Sequence, residues 1–422
     1  MRAVVFHGLG DIRVEEVAEP RIQEPTDAIV RITACAICGT DLHLVRGTIP
    51  GMRPGTILGH EGVGVVVEVG VEARNLAIGD RVIIPATIAC GYCSYCRAGY
   101  YAQCDNANPG GPLAGPAYYG GPAGAGSYSG LQAELARVPF APANLVKIPD
   151  AVTDDQALLL SDILPTGYFG AEMARIKAGH TVAIFGCGPV GQFAIASALR
   201  IGAGRILAVD AIAARLDIAR AQGAETVNFS REDPVATIHS LTGGIGVDCA
   251  IDAVGVDAYT AHEGPAAKQA RARQRDFRHE VRRIAPQTAT KDGQRDGHWM
   301  PGDAPSQALE WATQALAKAG ALAIIGLYPV TDRFYPIGAA MNKNLTVRTG
   351  HCHHRRYIPH LLELVVSGVM DPARILTQLE PITSAVAAYE AFDQRRPGWM
   401  KIELMPMSSV TDLEVTPPSA IK

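Results

Sequence analysis

The stretch that most restricts the fold runs from Thr181 to Arg200. Thr181-Val-Ala-Ile-Phe185 is a continuous apolar run, as a strand buried on both faces requires. It ends in Gly186-Cys187-Gly188-Pro189-Val190-Gly191, and a helical pattern follows from Gln192 to Arg200. Strand, glycine turn and helix in that order open a parallel β-α-β unit. The glycines let the backbone approach a pyrophosphate at the helix N-terminus. A second strand, Arg205 to Asp210, ends on an acid nineteen positions past Gly191, placed to bind ribose hydroxyls. Because Asp210 would repel a 2′-phosphate, NAD is expected over NADP, and nearby Arg215 weakens that preference only slightly. Strand-like segments at 225–228, 246–252, 321–326 and 345–348 continue the alternation. The expected class is therefore α/β, with a doubly wound parallel sheet.

Residues 1–145 read differently. Short alternating strands broken by Gly and Pro (28–33, 62–70, 81–85) predict a mostly β unit. Inside it, Cys90, Cys93, Cys96 and Cys104 recur with two, two and seven residues between them. Such spacing lets four sulfurs point inward from one looping segment, and four thiolates fill a tetrahedral zinc shell with no position left for substrate. Two disulfides are the alternative, disfavoured by the close spacing and by a reducing compartment. Three further groups stand beside glycine or proline bends: Cys38 in Ala36-Ile-Cys-Gly-Thr40-Asp41-Leu-His43, His60 in Gly59-His-Glu61, and Asp162 in Ser161-Asp-Ile-Leu-Pro165-Thr166. A thiolate, an imidazole and a carboxylate suit zinc, and three protein ligands leave a fourth position open. Taken singly they read equally as a small buried hydrophobe, a core imidazole and a helix cap. Asp41 is expected to orient a ligand imidazole, and Glu61 to be a transient ligand or a second supporting group.

Residues 108–130, rich in Gly, Pro, Ala and Tyr, predict a surface excursion without regular helix, which either borders the pocket or is only a long loop. An interruption of the α/β pattern at 256–305 carries Arg271, Arg273, Arg275, Arg278, Arg282 and Arg283 diluted by acids; a solvated insertion or subunit contact is expected rather than an anion site. His351, His353 and His354 cluster with Cys352. Lacking an acid or further Cys at ligand spacing, they are expected to be pocket wall or polar surface. The segment from 336 to 406 is expected to return to the first unit, with a loosely ordered end after Met405.

With 38 basic and 42 acidic residues and a formal charge of -4, nothing in the charge balance favours nucleic acid or an anionic membrane. A small-molecule partner is expected. No signal-peptide pattern and no spanning run are visible, and nine cysteines point to metal and buried thiols. A cytoplasmic location follows as an expectation.

Together, Cys38 to His43, Gly59-His60-Glu61, the four-cysteine lobe and Gly186 to Gly191 make a chain that resembles the zinc-dependent medium-chain alcohol dehydrogenases over nearly its whole length. The resemblance implies a GroES-like catalytic domain (1–166 and 337–422, with the zinc lobe at 88–106) and a Rossmann domain (167–336, with the insertion at 256–305). It also implies two Zn2+ per chain, NAD, and a dimer or tetramer. Cofactor contacts are expected from Gly186, Gly188, Pro189, Val190, Gly191, Asp210, Arg215 and Thr166. Where many members carry a cysteine as third ligand, Asp162 stands here. With the long insertion, that resembles the glutathione-independent formaldehyde dehydrogenase branch, whose members oxidise small alcohols or aldehydes and in some cases keep the nucleotide and dismutate aldehydes. The resemblance makes Thr40 and His43 the catalytic pair, passing the substrate proton through the nicotinamide ribose to His43. A polyol or threonine dehydrogenase and a catalytically silent NAD-binding protein are the competing readings.

Overall fold

The computed structural model describes residues 1–287 and 298–406. Six strands form one wholly parallel sheet, in the order 225–228, 205–210, 181–185, 247–252, 316–324 and 346–349. The chain leaves Thr181–Phe185 in one direction and returns to its other side with Val247–Asp252, so the strand order reverses there. In such sheets ligands bind at the crevice beyond the strand ends where that reversal occurs. Val182, Ala183 and Ile184 are fully buried because helices cover both faces. Gly191 lets the first turn of the helix Pro189–Ile201 close on the strand end. A Cβ there would lie 1.9 Å from the Gly186 carbonyl oxygen.

A second, seven-stranded sheet is built around the ten-residue strand Ala28–Ile37. Its antiparallel neighbour Glu61–Val69 pairs Ala36 with Glu61, and Ile402–Met405 pairs Ile402 with Ile37 from the far end of the chain. The ends of three adjacent strands, from distant segments of the chain, thereby meet at one end of the sheet. The strand Thr346–Thr349, which a boundary at 336/337 assigns to the catalytic unit, instead pairs in parallel with Leu316–Ile324 (Ala321 opposite Thr346). The parallel sheet thus extends to Thr349, and only the chain beyond it can return to the other sheet.

The inserted segment is only half solvated. Its helix Gly264–Ile284 buries Ala266, Ala267, Ala270, Phe277, Glu280 and Ile284, while Arg271, Arg275, Arg278, Arg282 and Arg283 are exposed. Residues 108–130 are no simple surface loop either: Tyr119 is fully buried. The expected loose end after Met405 lies, apart from Pro406, outside the described residues. Among the described residues no helix is long and apolar enough to cross a membrane.

Candidate metal and dinucleotide site

Cys38 follows directly on the strand Ala28–Ile37 and precedes the helix Gly39–Arg46. Its backbone N–H donates to Asp41 Oδ2 at 2.9 Å, which fixes the turn. Gly59, with φ of +91° and space that a Cβ would share with Gln132 Cγ at 2.4 Å, bends the chain so that His60 enters the same space. Asp162 precedes the helix Ile163–Met173 but makes no capping bond, so the helix-cap alternative does not hold. Its carboxylate is divided. Oδ1 takes His354 Nε2 at 2.7 Å and the Thr166 hydroxyl at 3.0 Å, whereas Oδ2 lies 3.3 Å from His60 Nε2 and 3.5 Å from Cys38 Sγ.

These separations bear on whether zinc fits. Tetrahedral zinc with ordinary bond lengths holds its N, O and S ligand atoms roughly 3.3–3.8 Å apart, as Asp162 Oδ2 stands from both partners. All three side chains are buried, and Glu61 lies close enough for one ligand atom from each of the four to fall within 4.8 Å of the others. Glu61 Oε1 is buried without a hydrogen-bond partner. Its other oxygen pairs with Lys401, and both side chains are fully buried. Burial pushes the Glu61 carboxyl up to about 7 against the pull of Lys401. Burial and the neighbouring Asp162 and Glu61 charges raise the Cys38 thiol, with His60 opposing. Burial opposes ionisation of Asp162, but hydrogen bonding from His354 and His60, with their charges behind it, holds its carboxyl well below the carboxylate range. Asp41 Oδ1 approaches His60 Nδ1 at 3.2 Å, outside good hydrogen-bond geometry, on the side of the ring away from Asp162. The set is a buried group of sulfur, nitrogen and oxygen donors, and it suits a divalent cation.

The four-cysteine group is equally explicit. Cys90 and Cys96 Sγ are 4.0 Å apart and Cys93 and Cys104 Sγ 3.9 Å apart, against about 3.8 Å for a tetrahedral zinc thiolate shell. No pair is disulfide-bonded. Backbone N–H groups of Cys90, Cys93 and Ala107 and the Asn106 amide point at the sulfurs at 3.2–3.4 Å, stabilising negative charge there. Hydrogen bonding from Cys96 takes the Cys104 thiol down to about 5 against the effect of burial. Among the described residues, these two groups alone bring three or more His, Cys or acidic side chains within metal-binding reach.

One cavity of about 1030 Å³ joins Cys38, His60 and Asp162 to Gly188, Val190 and Asp210. Thr40, His43, Thr166, Gly186, Pro189 and Arg215 also line it. Asp210 accepts backbone N–H bonds from Cys187, Ala211 and Ile212 at 2.7–2.9 Å, with Arg215 Nη1 4.0 Å away. The Gly188 Cα faces space in which a Cβ would first meet Arg215, 3.7 Å away, leaving the N-terminus of the helix Pro189–Ile201 open to an anion. Leu113, Tyr118 and Pro122 bring the 108–130 segment to the cavity wall. His351, Cys352 and His354 line the cavity too, and Cys352, His353 and His354 are buried, so the cluster belongs to the pocket wall. His354 and Lys401 reach the site from sequence-distant positions that no spacing marks.

A metal-binding group at one end of a cavity and a parallel-sheet crevice with a glycine turn at the other define a metal-dependent dehydrogenase. The comparisons agree. Residues 24–150 match the alcohol dehydrogenase GroES-like domain and residues 189–262 the zinc-binding dehydrogenase domain. An uncharacterized zinc-type alcohol dehydrogenase-like protein of Bacillus subtilis is 35% identical over 410 residues, covering 96% of this chain and 100% of that one. A glutathione-independent formaldehyde dehydrogenase of Pseudomonas aeruginosa is 40% identical over 268 residues, covering 61% of this chain and 66% of that one. The solved alcohol dehydrogenase TADH from Thermus sp. ATN1 superposes with a TM-score of 0.77 at 34% identity, over 96% of this chain and 99% of that one. The chain belongs to the zinc-type, medium-chain alcohol dehydrogenase family. It is an oxidoreductase of GroES-like and Rossmann architecture whose cofactors are zinc and a nicotinamide dinucleotide.

Proposed function

We propose that the protein oxidises small primary alcohols or hydrated small aldehydes, formaldehyde among them, with NAD. The observation that carries this reading is the convergence of Cys38, His60 and Asp162 in the same cavity as the Gly186–Gly191 turn. Asp162 in the third ligand position, together with the likeness to formaldehyde dehydrogenase sequence, favours the formaldehyde branch over polyol dehydrogenases. When bound, zinc supplies Lewis acidity toward the substrate oxygen and the nicotinamide supplies the hydride acceptor. Cys38 Sγ, His60 Nε2 and Asp162 Oδ2 would hold the catalytic metal, and the four cysteines of the lobe the structural one.

The chain's own residues do the rest. Asp41 holds the Cys38 backbone and faces the far nitrogen of His60, while His354 and Thr166 engage Asp162 Oδ1 and leave Oδ2 for the metal side. Thr40, two residues beyond Cys38 and on the cavity wall, accepts the substrate hydroxyl proton. His43, on the same helix and the same wall, receives it at its ring. Asp210 sits at the strand end beside the glycine turn, where its charge opposes a 2′-phosphate and favours NAD. Cytoplasmic location and a dimeric or tetrameric state belong to the same proposal; light scattering on the purified protein reads the latter.

The test is the rate of NAD reduction, followed at the reduced-nicotinamide absorbance band, across formaldehyde, longer aldehydes, primary alcohols and polyols. Formaldehyde and short alcohols should lead. A wide margin in favour of polyols would overturn the branch assignment. Absorbance in that band on adding aldehyde without added NAD would identify retained nucleotide, and equal yields of acid and alcohol would identify a dismutase cycle.

A further inference from the structure

His43 does not stand alone on the cavity wall. Its side chain is 8% exposed, and Nδ1 has two neighbours: Thr48 Oγ1 at 2.9 Å and Asp257 Oδ2 at 3.1 Å. The Thr48 hydroxyl donates its hydrogen to the His43 carbonyl oxygen at 3.2 Å, so toward the ring it accepts. An ionised carboxylate also only accepts. The hydroxyl acceptor at hydrogen-bond distance, with the carboxylate charge of Asp257 beside it in an ion-pair contact rather than a hydrogen bond, places the ring proton on Nδ1 and leaves Nε2 as the basic atom of the neutral imidazole.

Asp257 belongs to the inserted segment and ends the short turn Gly255–Asp257 that follows the strand Val247–Asp252. Its Oδ1 receives the Gly302 N–H at 3.0 Å, and its Oδ2 also takes Arg46 Nη1 at 2.5 Å. Arg46, 3% exposed, turns its Nε and Nη2 to Asp393 Oδ1 at 2.9 and 2.7 Å, and Asp393 Oδ2 receives the Trp299 N–H at 2.9 Å. Both ends of the insertion thus close on one buried chain, His43 to Asp257 to Arg46 to Asp393. That chain links the helix Gly39–Arg46 and the helix Ala385–Asp393 to the parallel sheet.

We infer that Asp257 is a positioning residue for the proton relay: it holds His43 as the Nδ1–H tautomer and stabilises the imidazolium while the proton is in transit, so that the insertion completes the site. The inference rests on the reading of His43 as the relay base. The charged groups facing the ring are Asp257 and Arg46, and Arg46 in turn faces Asp393 and Tyr259. Burial draws the His43 pKa below its ordinary value; Asp257 pulls it back up and Arg46 opposes that pull. Burial also disfavours ionised Asp257, but the charges of His43 and Arg46 take its carboxyl down to about 2, so it remains an acceptor throughout the working range.

Asp257→Asn keeps the size and removes the charge, and its amide can donate where the carboxylate accepted. Relative to the unaltered protein, kcat for NAD-dependent oxidation should fall about 10- to 100-fold, the size expected for a group that orients a functional imidazole. The low-pH limb of kcat should move to lower pH, since the imidazolium loses its counter-ion. Zinc content and NAD affinity should stay unchanged. In a His43→Gln background the same substitution should alter kcat by less than about twofold, because the two act as one unit. If His43→Gln slows turnover but Asp257→Asn moves neither plateau nor limb, the inference fails and the relay stands. If His43→Gln has no effect, the relay reading itself fails. Should Asp257→Asn not fold, imidazole nitrogen NMR of the intact protein decides: a proton on Nδ1 supports the inference, and one on Nε2 overturns it.

Discussion

Replacing Lys401 with Met should destabilise the protein by about 3–5 kcal/mol, the range for breaking a buried ion pair from one side. Lys401 and Glu61 are both fully buried. The ammonium also donates to the Ile37 carbonyl at 3.0 Å, in the strand that leads to Cys38. Its removal strands that carbonyl and leaves Glu61 without a counter-ion, with Oε1 already unpartnered. Glu61 responds by holding its proton more tightly. It is pushed up from 4.5 to about 7 even beside Lys401, and the substitution raises it further. A carboxyl whose folded pKa exceeds its unfolded one is favoured at low pH and loses that stability as pH rises toward the folded value. The penalty should therefore be larger at about pH 8 than at about pH 6. Urea unfolding of zinc-loaded protein, followed by tryptophan fluorescence at both pH values, measures it. Glu61→Gln added to Lys401→Met should recover part of the loss, with a coupling above about 1.5 kcal/mol. A single-variant penalty below about 1 kcal/mol, or two substitutions that simply add, would refute the reasoning.

Three further outcomes are expected. Gly191→Ala places a methyl 1.9 Å from the Gly186 carbonyl oxygen, so it should cost about 1–3 kcal/mol or more and abolish NAD binding in a calorimetric titration. Asp257, lowered from 3.8 to about 2, contributes about 2 kcal/mol of stability that is fully present above pH 3.8 and is lost as pH falls toward 2. The stability difference between metal-free unaltered protein and Asp257→Asn should shrink over that interval in denaturant titrations. Asp210→Ala should raise the kcat/KM ratio of NADP to NAD about tenfold or more, a shift of at least about 1.4 kcal/mol, read by steady-state kinetics with each cofactor.

What the sequence made legible was local. The run Thr181–Phe185 and the glycines at 186 and 191 carry their reason in neighbouring residues, since one turn must bring a helix start against a strand end. The four cysteines announce themselves by spacing for the same reason. Cys38, His60 and Asp162 could be named from their chemistry, but their meeting depends on Ala36 pairing with Glu61 and Ile37 with Ile402, contacts that no short window contains. Asp257 and Lys401 escaped entirely, and His354, noticed only as part of a histidine cluster, was not tied to Asp162. Each is a polar residue whose place in the site rests on a buried partner more than a hundred positions away. The alternation rightly read the strand Thr346–Thr349 into the parallel sheet, but the boundary at 336/337 cut it off from that unit, because its exposed Thr346, Val347 and Thr349 carry little mark of where the unit ends.

The central claim, that one zinc is held by Cys38, His60 and Asp162 and another by the four-cysteine lobe, is tested most directly by metal analysis of the purified chain. The account predicts two zinc ions per chain. Cys38→Ala should retain one and lose turnover, and Cys96→Ser should also retain one, losing the other with a lower Tm. A single zinc in the unaltered protein, or two zincs surviving in Cys38→Ala, would contradict it.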